Sequence, residues 1–268
     1  AALDLVQQVL LDPPTHVGAR RLQGRLALEV QDYGRAVRAF RTVLDAVPYD
    51  TESLFGLARA QEGQQEPISA TDTYKRLLSR EPDHVPALLA LARLSLTVRD
   101  VAGARGFYRR ILDRKPGSFE ATYGLGLLEL DHGDAGTALA LFAKASAQSP
   151  GSHDALDNAG LCQLKLGKAA EAAATFRTSL KLRPGRVRPW LGLGYAAQLA
   201  GDPREALSCF DQVLELEPLS VEGMVNAGAV LIALGNRERA ARLLKQALEV
   251  SPGQPVAMKN LAILEGRR

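Results

Sequence analysis

The sequence predicts an all-α solenoid of stacked antiparallel helix pairs, and three observations carry that prediction. Pro14, Pro48, Pro82, Pro116, Pro150, Pro184, Pro218 and Pro252 stand 34 residues apart with no insertion or deletion. A fixed period of that length is the signature of a repeat architecture rather than of one globular core. Within each period the apolar residues recur at helical spacing in two runs split by a turn. Finally, equivalent columns hold equivalent side chains. Ala36, Ala70, Ala104, Ala138, Ala172, Ala206 and Ala240 share one column, and four residues later come Phe40, Tyr74, Tyr108, Phe142, Phe176, Phe210 and Leu244. A small residue recurs earlier in the period at Gly24, Ala58, Ala92, Gly126, Gly160, Gly194 and Gly228. Small residues let helix backbones approach, and the ring fills the space between one helix pair and the next.

Taken in order, the chain opens inside a period. Ala2 and Val6 occupy the alanine and ring columns, so residues 1–14 read as the second helix of a truncated repeat. Residues 15–252 read as seven complete repeats. In the repeat from Thr51 to His84, Leu54, Leu57, Ala58 and Gln61 mark the first helix and Ala70, Tyr74 and Leu77 the second. Gln65 and Glu66 break the two, and Pro67 suits the first turn of the second helix, where no backbone donor is needed. Later copies turn on Gly133-Asp134, Gly201-Asp202 and Gly235-Asn236, with glycine ending one helix and Asp or Asn capping the next. Asp50, Ser118, Ser152 and Ser220 are the expected caps of first helices, and Glu52, Glu120, Asp154 and Glu222 complement the positive end of each helix dipole. Residues 253–268, with Met258, Leu261 and Ala262 in first-helix columns, read as the opening of a further repeat. We therefore expect the chain to be a piece of a longer array, which an intact mass of the natural protein tests.

Composition removes several function classes. Net charge is +3, too small an excess to argue for nucleic acid. No apolar run reaches the length of a membrane span, so direct membrane insertion is not expected. Cys162 and Cys209 have neither metal-ligand nor CxxC spacing and read as buried apolar thiols. They leave localisation open between cytoplasm and periplasm. Arginine outnumbers lysine 25 to 8, a bias associated with GC-rich, bacterial genomes. Gly124-x-Gly126 and Gly192-x-Gly194 fall mid-helix with no preceding strand, which excludes a phosphate loop. His16, His84, His132 and His153 fall at or near turns, and no nucleophile elbow occurs. No catalytic residue, cofactor or metal centre is expected, and the chain does not read as an enzyme.

One repeat carries Trp190, Leu193, Gly194, Ala206, Phe210 and Pro218 at the spacing W-x2-L-G, A-x3-F, P. On these residues the chain resembles the tetratricopeptide repeat (TPR) family along its whole length. It departs from that pattern where the expected tyrosine is replaced, as at Gln61, Ala197 and Leu231. The resemblance implies a right-handed superhelix whose first helices line a concave groove. It also implies a non-catalytic protein-protein scaffold or adaptor that binds a peptide segment or small protein domain there. Two alternatives stay open: a substrate-recruiting arm of a larger enzyme such as a glycosyltransferase or protease, and a self-assembling scaffold.

With Thr51 as position one of its repeat, the family's groove-facing positions include five, six and nine. Position nine gives Arg25, Arg59 and Arg93, and Arg21 lies one helical turn before Arg25. Guanidinium groups in a row suit an acidic peptide, a carboxylate-rich surface or phosphate. The alternative is internal pairing with Glu29, Glu52 and Glu62. Farther along, the same positions turn apolar, with Phe55, Leu89, Tyr123, Leu191 and Val225 at five and Leu127, Leu161 and Tyr195 at nine. They would hold an amphipathic helix or extended segment, or else pack between neighbouring first helices. Asn158, Asn226 and Asn260 share position six, where some family members grip the backbone of an extended peptide. The lysine and asparagine clamp of the chaperone-binding subfamily is absent. The expected partner is thus a protein or peptide, acidic toward the N-terminal half and apolar toward the C-terminal half, with self-association as the further outcome.

Overall fold

A computed structural model describes residues 16–266 and contains fifteen helices and no strand among them. The expected half repeat with Ala2, Val6 and Pro14 lies outside the described residues. Odd-numbered helices are the first of each pair: α1 (Val17–Glu29), α3 (Thr51–Gly63), α5 (Val85–Thr97), α7 (Phe119–His132), α9 (His153–Lys165), α11 (Val187–Leu199), α13 (Val221–Ala233) and α15 (Pro255–Glu265). Even-numbered helices are the second: α2 (Tyr33–Ala46), α4 (Pro67–Leu78), α6 (Val101–Arg114), α8 (Ala135–Gln148), α10 (Ala169–Leu182), α12 (Pro203–Leu216) and α14 (Arg237–Val250). The chain forms two compact units, Ala1–Ala121 and Thr122–Arg268. In the first, α1 to α6 each pack on the next; in the second, α8 to α15 do the same.

Local chemistry sets the helix limits. Asp50 accepts from the Ser53 amide, Ser152 from Ala155 and Ser220 from Gly223, so the expected caps satisfy amides that the helix itself leaves open. Asp134 caps α8 through Thr137, and the backbone amides of Thr137 and Gly136 hold its carboxyl below the usual range. First helices end with a residue at positive φ. Gly167, Gly201 and Gly235 take it without a Cβ penalty, but Gln31, Gln65 and Arg99 take it too. There the closing bond to the carbonyl five residues back, such as Asp100 to Ser95 at 2.8 Å, holds a non-glycine residue left-handed. Gly133 is the exception: α7 ends without positive φ.

The alanine column is fully buried from Ala36 to Ala240. The ring column supplies the largest buried side chains. The reason glycine recurs is visible around Phe176: a Cβ on Gly160 or on Gly192 would sit 2.6 or 2.3 Å from the ring. The ring is thus clasped between the first helix of its own pair and that of the next. Burial of one such ring contributes about 2–3 kcal/mol. Charged pairs tie successive repeats: Arg177 to Glu205, Arg239 to Asp211 at 2.5 Å, and Arg114 to Asp83 at 3.3 Å. Arg76 and Arg110 instead donate to the carbonyls of the ladder residues Pro48 and Pro82.

Candidate functional site

In the first unit the four arginines of this row separate into two kinds. Arg21 is held by Asp50 at 2.6 Å and lies 3.5 Å from Glu52, and Arg25 reaches Glu52 at 3.2 Å. Asp50 also caps α3, so Arg21 fastens α1 to the start of the next pair. These two cations are balanced within the fold. Arg59 and Arg93 are exposed and have no ion pair or hydrogen bond among the described residues. Both line an open cleft of about 710 Å³ between α3 and α5. Half-buried Phe55 and Leu89, with Pro86, give it an apolar floor.

The rest of the cleft is built by residues that sequence reasoning did not single out as site members. The Tyr74 hydroxyl donates to Glu62, and burial together with that carboxylate raises the phenol above its usual range, Arg93 and Arg59 opposing. Glu62 is therefore turned toward Tyr74. Phe55 packs on the Tyr74 ring at 5.9 Å and on His84 at 5.0 Å. His84 Nδ1 accepts from the Ala87 amide, so this histidine caps α5 and fixes the floor at the same time. The available signal was spacing: Glu62 follows Arg59 by three residues, which puts both on one face of α3.

In the second unit the predicted residues are drawn into internal contacts. Asn158 is buried; it donates to the Tyr123 hydroxyl at 2.9 Å and accepts from Arg188 at 2.7 Å. Asn226 donates to the Tyr195 hydroxyl at 2.8 Å, which in turn donates to Glu222 at 2.5 Å. At Asn260 neither position on the preceding first helix supplies a tyrosine, and its Nδ2 has no partner among the described residues. Tyr123 and Tyr195 set their edges against Phe142 and Phe210 at 5.6 and 5.7 Å. Leu161, Leu191 and Tyr195 are half-buried against core clusters. Val225 is core, packed with Met224, Leu244, Ala247 and Ala257. Leu127, 37% exposed, is the most open of this apolar set.

A charged network that the sequence reading missed lies beside Asn158. Arg186, just before α11, meets Asp154 at 2.8 Å and the buried Asp157 at 2.7 Å on α9. Ser179 donates to Asp157, and His153 Nδ1 lies 2.6 Å from the guanidinium. The usable signal is an arginine paired with an acid 27–32 residues away, slightly less than one period, as in Arg21–Asp50, Arg25–Glu52, Arg177–Glu205 and Arg186–Asp154. Among the described residues no His, Cys, Asp and Glu group has metal-site geometry, and no helix is long and apolar enough to cross a membrane.

Two family models, both described as tetratricopeptide repeat, match the chain, one over residues 120–187 and 191–255 and the other over 27–94. No curated protein matches. Among solved structures, the C-terminal part of a TPR repeat-containing protein from Cytophaga hutchinsonii aligns with a TM-score of 0.75 at 14% identity, covering 90% of this chain and 99% of that one. PilW, a type IV pilus biogenesis factor, aligns with a TM-score of 0.66 at 24% identity, covering 79% and 98%. YrrB, described as a TPR protein with an unusual peptide-binding site, gives 0.60 at 22% identity, covering 70% and 97%.

Proposed function

The chain belongs to the tetratricopeptide repeat family, an all-α repeat solenoid, and from that premise we propose that it is a non-catalytic scaffold holding a partner's peptide segment or small domain against its first helices. The observation that carries this reading is the cleft between α3 and α5. Two exposed guanidinium groups and a half-buried apolar floor remain open there to a ligand. A fold whose repeats bury their faces only against neighbours leaves such surfaces free for recognition. The peptide-binding site of YrrB, on the same fold, supports the choice of ligand class.

The second unit offers Leu127, Leu161, Leu191 and the tyrosine rings as a more apolar stretch for the same kind of partner. Asn158 and Asn226 act there by orienting Tyr123 and Tyr195. Fold alone does not name a partner. A photo-crosslinking side chain placed at Leu89 or Leu127, on first helices, is expected to capture a partner from the native source. The same group at Arg41 or Arg109, on second helices, is expected to capture much less. Capture only from the second helices would sink the proposal.

A further inference from the structure

We infer that the joint between α11 and α13 recognises a basic side chain, lysine or arginine, on a partner segment, with Glu222 as its counter-charge; the inference rests on the partner-segment reading above. Glu52 and Asp154, acids at position two of their first helices, are neutralised from two different places. Glu52 meets Arg25, 27 residues earlier at position nine of the preceding first helix, at 3.2 Å. Asp154 meets Arg186, 32 residues later and just before the next first helix, at 2.8 Å. Glu222 is also at position two, but both of its places are neutral. The residue 27 earlier is Tyr195, and the residue 32 later is Gln254, whose side chain caps α15. Glu222 is exposed and makes no ion pair among the described residues. In the first turn of α13 it complements the helix dipole, which anchors the carboxylate while its outer side stays open.

The surroundings of Glu222 supply acceptors. The Tyr195 hydroxyl gives its one hydrogen to Glu222 at 2.5 Å, so its oxygen must accept from Asn226 Nδ2 at 2.8 Å. That turns the Asn226 amide oxygen away from Tyr195, and this oxygen has no partner among the described residues. Glu222 and Asn226 lie four residues apart on α13 and are neighbours on one face. A carboxylate beside an open amide oxygen suits an ammonium or guanidinium, which only donates, and disfavours an anion. Tyrosines report the same local charge. Arg93 and Arg59 oppose the raised phenol of Tyr74, and Arg188 opposes that of Tyr123, whereas at Tyr195 burial and Glu222 act with no cation against them. Half-buried Leu191 and Tyr195, one turn apart on α11, offer apolar surface to the methylene stem of a lysine or arginine.

The test selects random short peptides displayed on phage against the protein and measures the selected peptides by fluorescence anisotropy. Those weakened by Leu191→Ala are assigned to this joint. They are expected to carry a lysine or arginine whose replacement by glutamine weakens binding by about threefold to tenfold, between an exposed pair and a charge-assisted hydrogen bond. The effect is expected to shrink as salt rises. Against Glu222→Gln the same replacement is expected to change binding less than about twofold. Glu52→Gln, which removes an acid already paired with Arg25, is expected to behave as the unaltered protein does. Glu222→Lys is expected to prefer the peptide whose basic residue is replaced by glutamate. Circular dichroism confirms that each variant folds. Peptides assigned to the joint that bind without a basic residue overturn the inference and leave the scaffold reading standing. So do peptides whose basic residue counts equally against the unaltered protein and Glu222→Gln. Selection of no peptide assigned to the joint overturns it as well, while crosslinking from first helices judges the scaffold reading independently.

Discussion

At the residue scale, the turn after each first helix separates what glycine does from what the rest of the fold enforces. Gly167, Gly201 and Gly235 adopt positive φ freely, while Arg99 at φ 61° carries a Cβ in a conformation that L residues avoid. That costs about 1–2 kcal/mol, offset by the flanking turn hydrogen bonds and helix packing. Arg99 is exposed and its side chain makes no described contact, so little is lost by removing it. Arg99→Gly is expected to raise stability by about 1 kcal/mol in urea titration, and an unchanged or lower midpoint would count against this account. The glycine turns were legible in sequence; the non-glycine ones were not, because their conformation is imposed by a backbone bond rather than advertised by composition.

At the element scale, helices are joined by two devices of different legibility. The clasped ring was readable, because the ring and the small residue sixteen positions before it, Gly160 for Phe176, keep a fixed register through the array. The joint between α9 and α11 was not readable, because Arg186, Asp154 and Asp157 are ordinary charged residues until the fold juxtaposes them. Asp157 has no exposed surface and is held by Arg186 and Ser179. Removing one partner of a fully buried pair costs about 3–5 kcal/mol. Arg186 keeps a quarter of its side chain in water and a second acid in Asp154, which softens the loss. Asp157→Ala is therefore expected to destabilise by about 2–3 kcal/mol, whereas Asp154→Ala, at a half-exposed site, is expected to cost under about 1 kcal/mol. Equal losses from the two in denaturant titrations would contradict the assignment.

At the scale of the whole molecule, stability is a sum over repeats and their junctions, so buried ionisable groups in different repeats act together on its pH dependence. Burial, with Glu205 beside it, pushes the Cys209 thiol up to about 11. Burial and hydrogen bonds to Glu62 and Glu222 raise the Tyr74 and Tyr195 phenols as well. Each is an acid whose folded form resists ionisation. Its contribution is complete below the pKa of the unfolded chain and is lost as pH rises toward the folded value. Thermal midpoints are thus expected to fall from about pH 9 upward, and Cys209→Ala is expected to flatten the part between about pH 9 and 11. A midpoint constant through that range, or a fall unaltered by the substitution, would refute it.

The sequence by itself determined the repeat, its period, the helix pairs, their caps and the columns that fill the core. These follow from local spacing and from residues recurring in register, and every copy reinforces the reading. It also nominated Arg21, Arg25, Arg59 and Arg93 as one row. Only the tertiary structure divided that row, because whether a guanidinium is spent or free depends on acids almost a full period away. The same holds for Asn158 and Asn226, whose partners Tyr123 and Tyr195 occupy different positions of the preceding repeat. Packing is written in what repeats and can be read along the chain, whereas recognition is decided by which charges the fold leaves unpaired.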